Sequence, residues 1–584
     1  MKNFFKIMFA SCFGSALMLI AAFIIIPIWI ASSFSNDTEK VTEKSILYMD
    51  LNYDIAERSS ESGKLISILK NNGNGDFAGL NDILANIRAA ANDDNIKGIL
   101  IETQSVGAGL ASVEEIINAL DEFKKSGKFI AAYSDGYSQG AYYLATVADK
   151  IYLNPDGMLE IRGMAAQLMF YKNLMEKLDV KMQIVRGPDN KYKSAVEPYF
   201  LDKMSDANRL QYSELLGAMW NNVADRICTK RGIEISRLNA IANSMETTFD
   251  AKKALEYGLI DGLYYRDQLI DELKAAIGCD EDDDINIVRN STYAQQREDK
   301  THKDKIAVIY ANGSINDGEG DDNTIGSTTL SKAIREARRN DKVKAIVMRV
   351  NSPGGSALAS EVIRREVELA AKEKPFIVSM GDYAASGGYW ISAEADRIFA
   401  DNNTLTGSIG VFGTFPSIKG LTDKVGVTFD IVKTHDNADF GTMTKELNEQ
   451  QLAMLEKYVA ETYDQFLTLV SRTRHMSKTA VDSIAQGRVW AGSEAVKIGL
   501  VDEIGDLSQA VKYAAAQADL KDFAVKEYPE QEDIFSSFVK NGADQYTQAE
   551  LKSRFGMLYP YIKQIEATKN TTGIQAVMPF FVIE

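Results

Sequence analysis

The chain has 584 residues, of which 45% are apolar, and its formal net charge is −17. At about 150 residues per domain, this length predicts more than one domain. The acidic charge and the lack of any Lys/Arg-rich block argue against a nucleic-acid-binding protein, which needs basic surface to displace counterions.

The cysteines and histidines do not indicate a metal site. Cys12, Cys228 and Cys279 are the only cysteines, none is in CxxC spacing, and the three histidines are scattered. Cys228 and Cys279 could pair in an oxidising compartment, but their spacing does not signal a disulfide framework.

The N-terminus carries a long apolar segment. Lys2 and Lys6 precede residues 7–36, which contain no charged side chain. This segment exceeds the ~20 residues that a membrane-spanning helix needs, and the lysines favour a cytoplasmic N-terminus. We therefore expect a single-pass anchor over residues 1–40, with the rest of the chain outside the cytoplasm. A cleaved signal peptide is the alternative, because IASSFS resembles a small-residue cleavage site.

The rest of the chain contains an internal repeat. DNIKGILI (94–101) aligns with DKVKAIVM (341–348), and ADKI (148–151) aligns with ADRI (395–398), both at an offset of 247 residues. A period this long indicates duplicated domains rather than a solenoid, whose repeats run ~20–50 residues. The expected division is a first repeat over 41–278, an acidic, polar linker over 279–304, a second repeat over 305–525 and a C-terminal tail over 526–584.

Each repeat alternates short apolar runs with helical patterns. In the second repeat, KAIVMRV (344–350) and PFIVSM (375–380) are predicted strands, and residues 356–374 between them have helical spacing. Such alternation indicates an α/β fold with largely parallel pairing and right-handed crossovers.

The segment GDYAASGGYW places Ser386 at the start of a predicted helix. Gly387 lets a substrate backbone approach closely, and the NSPGG turn brings Gly354 and Gly355 to the carboxyl end of a strand, where sites form in α/β folds. The amides of these three glycines are candidates to bind an oxyanion beside a Ser386 nucleophile, which contributes ~3–4 kcal/mol in acyl transfer. The alternative is that Ser386 only caps a helix and that Pro-Gly-Gly is only a turn.

A serine nucleophile needs a base, and the repeat points to a lysine. The first repeat has Gln139 where the second has Ser386, and the second has Phe440 where the first has Lys193. These complementary losses suggest one composite Ser–Lys site, although drift and a solvated surface lysine would explain them too. Because a lysine base must be neutral, we expect Lys193 to be buried where the halves meet. Ser408, in TLTGSIGV, is either a residue that orients the amine or a turn serine.

Four motifs together resemble the signal peptide peptidase A family in its long, two-repeat form, a group of membrane-anchored bacterial serine proteases. The motifs are YKSAVEPY (192–199), NSPGG (351–355), GDYAASGGYW (381–390) and TGSIGV (406–411). The resemblance covers roughly residues 41–525 and the N-terminal anchor.

This resemblance implies a Clp-protease/crotonase-like fold in each repeat, with Ser386 as nucleophile, Lys193 as general base and no metal or cofactor. It also implies remnant signal peptides and other apolar peptides as substrates. The expected protein is a homotetramer in the bacterial inner membrane, with its catalytic domains facing the periplasm. Two alternatives stay open: a crotonase-class enzyme that acts on acyl-CoA, and a non-catalytic scaffold of the same fold.

Overall fold

The structure is a computed structural model. It describes residues 40–59, 78–187, 190–280, 282–297, 302–531, 551, 554–556, 559, 573–579 and 582–583. The apolar segment predicted as a membrane anchor therefore lies outside the described residues. In the part of the chain that is described, no helix is long and apolar enough to cross a membrane.

The first half alternates strands and helices. Its strands are β1 (Ser45–Met49), β2 (Ile96–Glu102), β3 (Phe129–Tyr137), β4 (Lys150–Leu159), β5 (Ala166–Gln167), β6 (Lys181–Arg186), β7 (Gly262–Leu263) and β8 (Ile287–Arg289). Its helices are α1 (Leu80–Asn92), α2 (Leu110–Lys124), α3 (Gln139–Ala145), α4 (Lys172–Leu178), α5 (Glu197–Phe200), α6 (Asp206–Arg231), α7 (Ile235–Ser244), α8 (Glu246–Phe249), α9 (Ala251–Glu256), α10 (Arg266–Ile277) and α11 (Asn290–Gln296).

The second half repeats this alternation. Its strands are β9 (Lys305–Asn312), β10 (Ser314–Asn316), β11 (Thr324–Gly326), β12 (Val343–Ser352), β13 (Gly354–Ser356), β14 (Phe376–Ala385), β15 (Arg397–Ala400), β16 (Leu405–Gly407), β17 (Phe412–Ser417), β18 (Val489–Ala491), β19 (Glu503–Ile504) and β20 (Ala524–Tyr528). Its helices are α12 (Ser327–Arg339), α13 (Ala357–Ala371), α14 (Gly387–Ser392), α15 (Lys419–Lys424), α16 (Glu449–Thr473), α17 (Lys478–Ile484), α18 (Gly492–Lys497) and α19 (Leu507–Gln517). Two strands follow near the C-terminus, β21 (Gly573–Val577) and β22 (Val582–Ile583).

Each half is built on a mainly parallel sheet. The first has the order β7-β4-β3-β2-β1-β8, and the second has the order β18-β16-β14-β12-β9-β20, with β15 beside β14. Neighbours β1, β2, β3 and β4 pair in parallel, as do β9, β12, β14 and β15. Their apolar runs are buried because helices cover the sheet faces. The predicted α/β class is confirmed.

The repeat is visible in the element boundaries. Helices α1 and α12, helices α2 and α13, and strands β2 and β12 all begin 247 residues apart. Helix α12 buries Leu330, Ala333, Ile334 and Ala337, the spacing of one helical face packed on a sheet. Equivalent patterns in the two halves therefore form equivalent elements.

Some elements lie in segments whose sequence did not predict them. In the stretch expected to be a linker, β8 pairs with β1 and α11 packs beside it. β20 extends from the second repeat into the stretch expected to be a tail, and it pairs with β9. Further along the same stretch, β21 lies between β13 and β17. Cys228 and Cys279 are both free thiols.

A third sheet joins the two halves. Its order is β11-β10-β13-β21-β17-β6, so β6 of the first half pairs with β17 of the second. The pairing is antiparallel and runs from Lys181 opposite Ser417 to Arg186 opposite Phe412. This contact brings the segment that follows β6 against the second half, and that segment carries Lys193.

Candidate active site

The side chains of Ser386 and Lys193 meet where the two halves join. Lys193 Nζ lies 2.8 Å from Ser386 Oγ, although 193 residues separate them in the chain. Ser386 sits between the end of β14 and the start of α14, and Lys193 precedes a 3₁₀ turn, Ser194–Val196. Both side chains are fully buried. The structure therefore brings together the two residues that the repeat comparison singled out.

Ser386 has a strained backbone. Its φ of 55° and ψ of −109° lie outside the regions that non-glycine residues normally occupy. Such strain concentrates at functional sites, and a sharp strand-to-helix turn is known to present a nucleophilic serine. The Ser386 side chain makes no capping hydrogen bond to α14. The helix-cap alternative therefore does not describe this serine.

Burial sets the protonation of Lys193. Desolvation lowers the pKa of its amine well below the ordinary lysine value. Since burial penalises the charged form, the site favours a neutral amine whose lone pair can accept a proton. A solvated surface lysine, the alternative for this position, does not fit a side chain with no exposed area.

Ser408 supplies two oxygen atoms to the lysine. Lys193 Nζ donates to the Ser408 carbonyl oxygen at 2.9 Å and to its Oγ at 3.0 Å. Ser408 itself has a positive φ of 47°, and its N–H donates to the Arg488 carbonyl oxygen at 2.7 Å. In this arrangement both Ser408 oxygens accept from the amine.

The loop that carries Lys193 is held against the second half by hydrogen bonds to backbone carbonyl oxygens. Asn190 Nδ2 donates to the Val411 carbonyl oxygen at 2.9 Å, and the Tyr192 N–H donates to the Gln486 carbonyl oxygen at 2.8 Å. A Cβ added to Gly487 would lie only 2.5 Å from Lys193 Cβ, so a side chain there would displace the lysine. Gln486 and Gly487 could not be predicted to contact the site, because their segment AQGRVW (485–490) carries no recognisable motif.

The three candidate oxyanion glycines lie together beside Ser386. A Cβ added to Gly354 would lie 2.7 Å from the Gly387 nitrogen, and one added to Gly387 would lie 3.1 Å from the Gly355 nitrogen. The Gly354 N–H donates to Ser352 Oγ at 3.2 Å. The expectation that Gly354 donates to an oxyanion therefore needs correction: its N–H already has an acceptor, and its missing side chain provides space beside Gly387.

The corresponding place in the first half is filled by Gln139. Its Nε2 donates to the Gly163 carbonyl oxygen at 2.9 Å, and its Oε1 accepts from the N–H groups of Arg162 and Gly163, both at 3.0 Å. Gly163 is the repeat equivalent of Gly410, whose carbonyl oxygen accepts from Ser386 Oγ at 3.4 Å. The Gln139 amide thus bonds to the loop of the first half that is equivalent to the loop facing Ser386 in the second half.

The surroundings do not indicate a metal. Among the described residues there is no group of three or more His, Cys, Asp or Glu side chains that could hold a metal ion. Ser386 supplies a hydroxyl, Lys193 an amine and the neighbouring glycines backbone amides. These are the groups that acyl transfer needs.

Comparisons with known proteins place the chain among peptidases. The model of peptidase family S49 matches residues 122–280 and 368–521. Protease 4 of Haemophilus influenzae is 38% identical over 503 residues, which cover 82% of this chain and 81% of that protein. Protease 4 of Salmonella typhi is 38% identical over 551 residues, which cover 91% of this chain and 86% of that protein. The chloroplastic serine protease SPPA of Arabidopsis thaliana is 31% identical, over 83% of this chain and 71% of that protein.

Proposed function

The chain belongs to peptidase family S49, and we propose that it hydrolyses peptide bonds with Ser386 as nucleophile and Lys193 as general base. The observation that carries this proposal is the 2.8 Å contact between the buried amine and the hydroxyl. A base within hydrogen-bond reach of the proton that it removes meets the geometric requirement for general-base catalysis.

The lysine has the surroundings that a base requires. Its lowered pKa favours the neutral amine, whose lone pair can point at Ser386 while its two N–H groups donate to the carbonyl oxygen and Oγ of Ser408. Ser408 is then a positioning residue, since it fixes the direction of the lone pair without contacting substrate.

The reaction has two stages. Lys193 Nζ takes the Ser386 hydroxyl proton while Oγ bonds to the substrate carbonyl carbon, and the Gly355 and Gly387 amides donate to the oxyanion. The C–N bond then breaks, and Lys193 gives its proton to the leaving amine. In the second stage Lys193 removes a proton from water, whose oxygen attacks the acyl-enzyme. The proton returns to Ser386 Oγ as the new carboxyl group leaves.

We propose apolar peptides as substrates, and remnant signal peptides in particular. The motif resemblance supports this class. An apolar cluster beside the Ser386 strand also supports it, and it includes Tyr212, Leu215, Met219, Ala385, Leu405 and Val489. Peptide clefts bind through apolar walls of this kind with a few placed polar groups.

We propose that the enzyme is anchored in the bacterial inner membrane and acts on its periplasmic side. Support comes from the uncharged segment over residues 7–36 and from the two lysines that precede it. An anchor would raise the enzyme concentration at the surface where apolar peptides partition. The same resemblance supports a homotetramer.

The decisive experiment compares peptide hydrolysis by the wild type, Ser386→Ala and Lys193→Ala. We expect a loss of at least about 10³-fold for Ser386→Ala and of about 10²–10⁴-fold for Lys193→Ala, because a nucleophile and a general base contribute on this scale. Circular dichroism should show that both variants stay folded.

Lys191→Ala is the matched control, because Lys191 lies in the same loop but is exposed. It should keep near-normal activity. Hydrolysis by Lys193→Ala at the wild-type rate would contradict the dyad. A Ser386→Ala variant that still turned over an acyl-CoA thioester would favour a crotonase-class enzyme instead.

A further inference from the structure

The space between β13 and β17, beside Ser386, is occupied by a strand from the C-terminal segment of the chain. β21 pairs antiparallel with both of these strands. Because β13 carries Gly354 and Gly355, this strand passes directly over the candidate oxyanion site. An extended peptide substrate that pairs with the same strand edges would need the hydrogen-bonding groups that β21 already uses.

The register of β21 places one peptide bond at the catalytic position. The Met578 N–H donates to the Pro353 carbonyl oxygen at 2.8 Å. Hydrogen-bonded pairs alternate along an antiparallel ladder, so Gly355 and Ala576, which lie opposite each other, form the next such pair. The Gly355 N–H thus faces the Ala576 carbonyl oxygen, as it would face a substrate carbonyl.

The neighbouring glycines surround the same carbonyl. A Cβ added to Gly354 would lie 2.1 Å from the Ala576 oxygen, and one added to Gly387 would lie 3.1 Å from it. The Ala576 carbonyl oxygen therefore lies among the three candidate oxyanion glycines. By this placement, the bond from Ala576 to Val577 corresponds to the scissile bond of a substrate.

The side chains of this segment show what the cleft accepts. Alternate residues of a strand face the same side, so Ile574, Ala576 and Met578 point together. Ala576 is fully buried, Ile574 packs against the core of the second half, and Met578 belongs to the apolar cluster that contains Tyr212. The cleft thus accommodates a small residue at the reacting carbonyl and apolar residues two positions to either side.

We propose that residues 573–579 are an intramolecular pseudosubstrate, which must leave the cleft before a peptide can bind. The same fit defines the substrate: an extended segment with a small residue in the place of Ala576 and apolar residues in the places of Ile574 and Met578. This inference rests on the proposed role of Ser386, so its test needs a readout that does not depend on catalysis.

The first experiment fixes the strand in place with Ser356→Cys combined with Gln575→Cys in the full-length chain. Ser356 and Gln575 lie opposite each other and form a non-hydrogen-bonded pair of the ladder. The Cα atoms of such a pair are about 4.5 Å apart, a separation that a disulfide can bridge. We expect a cross-link within one chain under mild oxidation, at least tenfold slower peptide hydrolysis, and recovery on reduction. Ser356→Cys with Ile574→Cys is the matched control and should not cross-link, because residue 574 faces the other side.

The second experiment releases the strand with Ala576→Glu, since a carboxylate does not fit a fully buried position. We expect kcat/KM for a peptide with Ala at the cleavage position to rise at least threefold. The synthetic peptide TGIQAVMPF, residues 572–580, should inhibit this variant competitively. Phe555→Ala, in an exposed part of the C-terminal segment, should behave like the wild type.

The outcomes separate the two proposals. A cross-linked enzyme as active as the reduced one, cross-links between two chains, or unchanged kinetics of Ala576→Glu would each overturn the pseudosubstrate. If instead the wild type hydrolyses no peptide, the proposed function fails, and the intrachain cross-link still reports whether the strand lies in the cleft.

Discussion

At the scale of single residues, the Lys193 amine combines full burial with oxygen atoms that fix its direction. Burial lowers its pKa, and its Nζ lies within hydrogen-bond distance of Ser386 Oγ and of two Ser408 oxygens. The sequence identified Ser386 and Lys193 because the repeat showed which residue each half lacks. It did not identify Asn190 or Gly487, because backbone docking between distant segments leaves no local pattern.

Activity should depend on pH through this amine. Because only the neutral amine can accept the Ser386 proton, kcat/KM should fall as the pH decreases through the lowered pKa of Lys193. Ser408→Ala removes one acceptor that also stabilises the protonated amine, so we expect the acid limb to move to lower pH and kcat to drop about tenfold. Rate–pH profiles of the wild type and the variant measure both effects.

Ser483→Ala is the control for this prediction, because Ser483 is exposed and bonds only within its own turn in the described structure. An acid limb that stayed in place while kcat fell would mean that Ser408 supports the fold rather than the amine.

At the scale of elements, apolar alternation and the offset of 247 residues predicted the central strands and helices of both halves. The parts that were not predicted depend on partners far away in the chain. β8 forms because β1 offers a parallel edge, and β21 forms because β13 and β17 offer two. A five-residue stretch such as GIQAV carries too little periodicity to indicate a strand without those edges.

A buried ionic cluster joins elements of the two halves. Arg349, near the end of β12, pairs with Glu57 at 2.9 Å and with Glu115 on α2, and all three side chains are buried. Asn351 also donates to Glu57 at 2.8 Å. The cluster thus fixes the strand that leads into the NSPGG turn against the first half.

This cluster should make stability depend on pH. Burial raises the pKa of Glu115 to about 7, although Arg349 opposes the shift. A carboxyl group whose folded pKa is raised binds more protons when folded, so its contribution is complete at acidic pH and is lost as the pH rises toward 7. We expect the thermal midpoint to fall by at least about 2 °C from pH 5 to pH 8, and Glu115→Gln to reduce that fall.

Differential scanning fluorimetry across this pH range provides the measurement. Glu122→Gln, at an exposed position on the same helix, is the matched control and should retain the wild-type dependence. An equal slope in Glu115→Gln and the wild type would show that another group titrates.

At the scale of the whole molecule, the repeat indicates how copies would associate. β6 of the first half pairs with β17 of the second. The repeat equivalents of these strands are residues 428–433 and residues 165–170. The former expose Phe429 and Ile431, and the latter include β5, which pairs with β22 on one side. We propose that residues 428–433 of one copy pair with residues 165–170 of the next, a head-to-tail contact that can close into a ring.

A charged side chain within residues 428–433 should dissociate the proposed tetramer. We expect Ile431→Asp to shift the protein from the proposed tetramer to monomers in sedimentation velocity, because a carboxylate would be buried without a partner in the contact. Phe249→Asp changes an exposed aromatic residue elsewhere and should leave the assembly intact. A wild-type protein that sediments as a monomer would contradict the interface.

The hydrogen bonds of Gln139 limit what a substitution at this position could achieve. One side chain there satisfies three backbone groups of the 162–163 loop. A change back to serine would leave these groups without their partner, and it would gain no base, since the equivalent of Lys193 is Phe440. By the proposed mechanism, a second site would need both a serine at position 139 and a lysine at position 440, and neither change alone would supply it. By the proposed mechanism, each half therefore contributes one member of a single dyad, and no single substitution in either half can create a second one.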